Sequence, residues 1–229
     1  MDEHATPDLR VLLVEDEDLF RDLLQGALDQ QPGLRVVGAF RDAAAALVSG
    51  PSIEPDVAVL DIQLGNGMDG IHLGLALRTL LPRLGIVLLS NHADLRFVAA
   101  LQRRPVTGWS YLLKQSVRDV AALRRALDGA AHGQVVLDPR LVAGLEPRAG
   151  GRPAHLTPRQ RDVLALVAQG LNNASIAQQL ALAEKSVENV LSDVYKVFGI
   201  DPGEQGVHAR VTAVLLYLRE SRFVSNRRS

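Results

Sequence analysis

The sequence predicts two structural classes in one chain: a doubly wound parallel α/β domain and, behind it, a small all-α domain. Short apolar runs begin near Arg10, Leu34, Val57, Gly85 and Trp109, at intervals of 24, 23, 28 and 24 residues, and the segments between them have helical spacing. Crossovers this short and regular require a parallel sheet covered by helices on both faces. Beyond a Pro- and Gly-rich stretch, apolar residues from Val163 onward recur at helical spacing. The charge also changes sign, from a net −4 over residues 1–150 to +3 over residues 151–229. The expected division is residues 1–133, a linker at 134–154, and residues 155–229.

Composition bounds the function classes. At 229 residues the chain can bury two small cores, and 47% hydrophobic against 22% charged residues excludes a mainly disordered chain. The absence of Cys removes disulfides, thiol catalysis and cysteine-ligated zinc. The amino terminus is acidic and no apolar run approaches the ~18 residues of a membrane span, so the expectation is a cytoplasmic protein without a membrane partner. A net +3 in the back half is compatible with nucleic acid but is a weak field.

Taken in order, strand one, Val11–Val14, is followed by Glu15 and Asp16, and helix one runs from about Asp18 through Leu28. Helix two is Ala43–Val48. Strand three, Val57–Leu60, sits between Pro55 and a Gly-rich turn as a strand buried on both faces, and it ends in a carboxylate, Asp61. Helix three covers Ile71–Leu80. Strand four, Ile86–Leu89, ends in Ser90-Asn91; helix four is Leu95–Gln102. Strand five, Tyr111–Leu113, ends in Lys114, and helix five is Val117–Ala131. With strand order 2-1-3-4-5, strands one and three flank the switch point and these polar groups converge on one crevice.

Three crowded carboxylates repel one another unless a cation sits among them. Mg²⁺ suits one or two carboxylates with waters and phosphate oxygens. A lysine and a hydroxyl at neighbouring strand ends then hold an oxyanion on Asp61, which is the equipment for phosphoryl transfer to a carboxylate. Each residue has a plainer reading: Glu15-Asp16 as first-turn acids, Ser90 as a cap, Lys114 as a solvated lysine. Their joint occurrence at four strand ends outweighs it. Trp109 reads as packing. Gly65-Asn66-Gly67-Met68-Asp69-Gly70 matches the dinucleotide fingerprint, but its feeding strand ends in an acid that would face the pyrophosphate, and it lies in the third βα unit. The glycines instead let the loop turn beside the metal.

In the linker, Pro139, Pro147, Pro153 and Gly150-Gly151 interrupt short apolar pieces. Leu156-Thr157-Pro158-Arg159-Gln160 then combines an N-cap Thr, Pro at the first helical position and Gln at the capping-box position. That helix stops at Gly170. Asn172 or Asn173 caps a short helix with Ile176, Ala177 and Leu180. A tight turn at Ala181–Ala183 leads to a longer helix with a Val187, Val190, Leu191, Val194, Phe198 stripe, and a final helix spans about Val207–Arg222. By pattern alone, a helix-turn-helix and a four-helix protein-contact bundle are equally supported.

Val14-Glu15-Asp16, Val59-Leu60-Asp61-Ile62, Leu89-Ser90-Asn91 and Gly108–Lys114 resemble the receiver domain of bacterial two-component response regulators, over about residues 8–130. The resemblance implies a flavodoxin-like (βα)5 fold in which Asp61 accepts a phosphoryl group from a histidine kinase. It further implies Mg²⁺ on Asp16, Asp61 and the Gln63 carbonyl, with Glu15 acting through water. Ser90 and Lys114 would contact the phosphoryl group, and Tyr111 falls at the switch position. Residues Leu156–Leu164, Gly170–Asn173, Ile176-Ala177 and Lys185–Val187 resemble the LuxR-type DNA-binding domain, which tips the choice to helix-turn-helix. Together they imply a NarL/FixJ-type response regulator that binds double-stranded DNA, as a homodimer on an inverted repeat, and has no substrate turnover of its own. Lys185, Ser186, Glu188, Asn189, Ser192 and Lys196 are the expected DNA-facing residues. Three departures fall on that helix: Ala183 for a Ser cap, Glu188 for a basic residue, and Val190 for a common His. An acid facing phosphates weakens binding, so the alternative is a receiver-controlled protein-interaction module.

Overall fold

The computed structural model describes residues 8–65, 67–92, 107–203 and 208–223. The chain divides into two compact units: the first runs to His92 and resumes over Gly108–Gly133, and Gln134 onward belongs to the second.

In the first unit, β1 (Leu9–Val14), β2 (Leu34–Phe40), β3 (Val57–Asp61), β4 (Gly85–Ser90) and β5 (Trp109–Leu113) lie in the order β2-β1-β3-β4-β5, and each neighbouring pair is parallel. Every residue of β3, β4 and β5 is buried, as expected of strands covered on both faces. The helices are α1 (Asp18–Asp29), α2 (Ala43–Ser49), α3 (Gly70–Leu80) and α4 (Val120–Ala131). Caps fix three of their starts: Asp42, Asp69 and Asp119 accept backbone N–H bonds from the first turns of α2, α3 and α4. Asp119 corrects one expectation. The helix expected from Val117 begins at Val120, because Asp119 caps it and Lys114–Arg118 forms a separate 3₁₀ turn. The helix expected over Leu95–Gln102 lies outside the described residues.

The second unit contains β6 (Val136–Leu137), α5 (Pro139–Ala143), β7 (Leu145–Pro147), α6 (Pro158–Ala168), α7 (Asn173–Gln179), α8 (Glu184–Phe198), α9 (Ala209–Arg219) and β8 (Ser221–Phe223). Residues 134–154, expected as linker, thus hold two short strands and a helical turn. β7 pairs antiparallel with β8, Arg222 bridges to Glu146 across that pair at 3.0 Å, and Arg152 Nη2 meets Glu220 at 2.9 Å. The last helix accordingly ends at Arg219, and Arg222, expected inside it, belongs to a strand. Thr157 and Gln160 form the expected capping box of α6, and Asn172 caps α7. Gly170 closes α6 at φ +78°, and a Cβ there would come within 2.8 Å of Val136. Val163, Leu164, Val167, Ile176, Val187, Leu191, Val194, Phe198, Val214 and Leu218 make the core, whereas Val190 and Leu215 are half-buried at its rim.

Candidate functional site

The carboxyl ends of β1, β3 and β5 bring Glu15, Asp61 and Lys114 together. Carboxylate oxygens of Glu15, Asp16 and Asp61 all lie within 4.8 Å of one another. The Lys114 ammonium sits between two of these acids, 2.9 and 2.8 Å from the Glu15 oxygens and 3.0 Å from Asp61 Oδ2. It is also 4.7 Å from the centre of the Phe20 ring, a cation–π contact. Glu15 and Asp61 are buried, and Asp16 and Gln63 face solvent, so the cluster opens on one side. The Gln63 N–H donates to Asp61 Oδ1 at 3.1 Å, orienting the carboxylate.

Burial is the largest influence on Glu15 and pushes its carboxyl above the usual range; the bond from Lys114 works against this and the nearby Asp61 charge adds to it. Burial disfavours the charge on Lys114, but its hydrogen bonds to Glu15 and Asp61 outweigh that and hold its pKa above the ordinary lysine value. Hard oxygen donors, clustered and partly open to water, fit a divalent cation such as Mg²⁺. Two glycines of the loop, Gly65 and Gly70, are explained by this cluster. A Cβ on Gly70 would meet the Asp61 carbonyl oxygen at 2.1 Å, and Gly65 takes φ +50° beside Asp16.

Ser90, at the end of β4, is buried. Its hydroxyl donates to the His92 carbonyl at 2.7 Å and accepts from the His92 N–H at 3.3 Å. The Tyr111 hydroxyl donates to that same carbonyl at 2.5 Å, with the ring fully buried. Ser90 and Tyr111 therefore share one acceptor. Sequence reasoning missed that acceptor, since a backbone carbonyl carries no residue signature. It also missed Phe20, whose place on α1 gives no hint of the lysine brought to it from β5.

In the second unit the candidate residues lie on α8. Lys185, Glu188, Asn189, Ser192 and Lys196 are exposed, and Ser186 is half-buried. Both lysines are paired along the helix, Lys185 with Glu188 at 2.9 Å and Lys196 with Asp193 at 2.8 Å. Ala183 occupies the cap position and makes no side-chain cap bond. The turns on either side of α7 are held from outside: Arg159 donates to the Leu180 carbonyl after it, while Arg210 reaches Asn173 Oδ1 at 3.0 Å and also binds the Leu171 carbonyl before it.

Comparison with known proteins agrees with this division. Residues 11–128 match the family described as "Response regulator receiver domain", and residues 154–205 match "Bacterial regulatory proteins, luxR family". The chain is 32% identical to the DNA-binding transcriptional activator DevR/DosR of Mycobacterium tuberculosis, across 84% of this chain and 89% of that protein. It is 33% identical to the nitrate/nitrite response regulator NarL of Escherichia coli K12, across 78% and 83%. A structure of two RcsB dimers bound to two parallel DNAs covers 93% of this chain and 98% of its own, with a TM-score of 0.53 at 22% identity, a likeness of fold. The chain belongs to the response regulators that join a receiver domain to a LuxR-type DNA-binding domain, and it is a transcriptional regulator of that family. No helix among the described residues is long and apolar enough to cross a membrane.

Proposed function

We propose that Asp61 is the phosphoacceptor, that a histidine kinase supplies the phosphoryl group, and that this event controls DNA binding by the second unit in the cytoplasm. The observation that carries the reading is the Lys114 ammonium held between Glu15 and Asp61, with Asp16 alongside. An Asp61 oxygen attacks the phosphorus of a phosphohistidine; the O–P bond forms as the P–N bond breaks, and the electron pair returns to the imidazole nitrogen. Asp16, Asp61 and the Gln63 carbonyl would hold Mg²⁺ directly, and Glu15 would hold it through water. When bound, Mg²⁺ supplies positive charge that offsets the phosphoryl oxygens. The chain accepts this group and turns over no substrate of its own.

Once Asp61 carries the phosphoryl group, Lys114 follows the new negative charge. The Ser90 hydroxyl turns from the His92 carbonyl to a phosphoryl oxygen. Tyr111 then loses the neighbour that shares its acceptor, and its repacking signals the change. Lys185, Ser186, Glu188, Asn189, Ser192 and Lys196 on α8 would face the major groove. A homodimer would set two such helices about 34 Å apart on an inverted repeat. Family membership supports DNA as the partner. The exposed acids Glu184, Glu188 and Asp193 beside two lysines on α8 favour a second reading, in which this unit binds a protein.

The test is incubation of the full chain with acetyl phosphate and Mg²⁺, followed by intact-mass measurement. The wild type is expected to gain one phosphoryl group and Asp61→Asn none, with unchanged circular dichroism. Retention of the modification in Asp61→Asn would remove Asp61 as the acceptor.

A further inference from the structure

The recognition helix of this chain carries a charge arrangement that phosphate binding does not explain. Lys185 and Glu188 lie in its first two turns, the part of a helix-turn-helix recognition helix that meets base edges. Their side chains are 79% and 46% exposed, and the Lys185 ammonium sits 2.9 Å from Glu188 Oε2. Neither is part of the core, and the carboxylate repels the DNA backbone. A carboxylate that enters the major groove is accommodated only opposite a donor, and the groove offers two, the amino groups of cytosine and adenine. The adenine amino group lies between two acceptors, its own N7 and the thymine O4. The cytosine amino group has an acceptor on one side only, guanine O6, with N7 next in line. The preferred partner of a carboxylate there is the cytosine amino group and that of an ammonium is guanine O6 or N7, so a carboxylate and an ammonium held side by side fit one C·G pair: one accepts from cytosine while the other donates to guanine.

We infer that Glu188 and Lys185 act as a pair that reads a C·G base pair in each half-site, making Glu188 a specificity-determining residue of this regulator. The inference rests on the proposed DNA-binding reading. It also accounts for a recognition face with no net positive charge: α8 supplies selectivity, and phosphate contacts come from elsewhere in the unit.

The experiment is selection from a random duplex pool by the full chain with Mg²⁺ and beryllofluoride, repeated with Glu188→Ala, Glu188→Gln and Glu188→Lys. Wild type is expected to enrich half-sites with cytosine favoured about tenfold at one fixed position. Glu188→Ala should lose that preference and keep the rest of the site. Glu188→Gln should move it toward adenine, because a carboxamide pairs with adenine N6 and N7. An enriched site whose base preferences are the same in wild type and Glu188→Ala overturns the inference and leaves the DNA-binding reading standing. Enrichment by Glu188→Lys alone also overturns it, marking Glu188 as an obstacle. Absence of enrichment by all four folded proteins overturns both.

Discussion

Lys114 and Lys185 each hold a carboxylate at about the same distance, 2.8 to 3.0 Å, yet they belong to different physical regimes. Lys114 is 10% exposed, and the acids it holds are 1% and 4% exposed and come from other strands. Lys185 is 79% exposed and meets an acid one helical turn away. In the receiver pocket these three side chains are shielded from solvent, so removing one partner strands the others. On α8 water and salt can replace either partner at once, so the pair adds nothing measurable to stability. One arrangement holds its charges in fixed positions. The other leaves both charges ready to exchange partners.

The contrast is sharpest when Lys114 is removed. Lys114→Ala leaves Glu15 and Asp61 facing each other with no cation, and should destabilise the receiver by about 3 kcal/mol in urea unfolding, the lower end for a broken buried pair because the Asp16 side is open. Millimolar Mg²⁺ should restore part of the loss, since the same acids then share a different cation. A loss below about 1 kcal/mol, insensitive to Mg²⁺, would place the pocket in the same regime as α8.

The receiver was legible because its signals are strong ones. Runs such as Val57–Leu60 and Ile86–Leu89 are apolar on both faces, and the observed strands start within a residue of expectation, with β1 at Leu9 rather than Arg10. A carboxylate, hydroxyl or lysine ending such a run stands out against it. What escaped were features without a side-chain signature or with partners far away in sequence. The His92 carbonyl that joins Ser90 to Tyr111 is backbone. β7 and β8 are three residues each, one ending in Pro147, and a three-residue strand has no period to read. The pairing of Arg152 with Glu220 spans 68 residues. On α8 the spacing of Lys185 and Glu188 was visible, but three-residue spacing permits an ion pair without requiring one.

A smaller effect separates α8 from the two capped helices that precede it. Thr157 and Asn172 cap α6 and α7 with side-chain bonds, whereas Ala183 leaves the first turn of α8 uncapped. Its extended backbone, φ −76° and ψ 145°, is already that of a cap residue. Ala183→Ser should therefore raise stability by about 0.5–1 kcal/mol without rearrangement, read as an upward shift in the unfolding midpoint. No gain would mean that the end of α8 is satisfied by water at no cost.

The smallest expected stability effect is at Lys185 and Glu188 themselves, and there the absence of a change is informative. Lys185→Ala, Glu188→Ala and the double variant should unfold at the same urea concentration as wild type, because both side chains are already solvated. Their effect should appear in DNA binding as a function of salt. Removing a lysine that contacts a phosphate lowers the slope of log affinity against log salt by about one unit. A lysine that contacts a base edge beside its carboxylate partner releases no such counterion. If the pair reads bases, Lys185→Ala lowers affinity for the selected site with little change in slope, and Glu188→Ala does the same. A slope that falls by about one for Lys185→Ala and is unchanged for Glu188→Ala would show two independent charges that happen to touch. The distance of 2.9 Å would then describe the free helix and not its bound state.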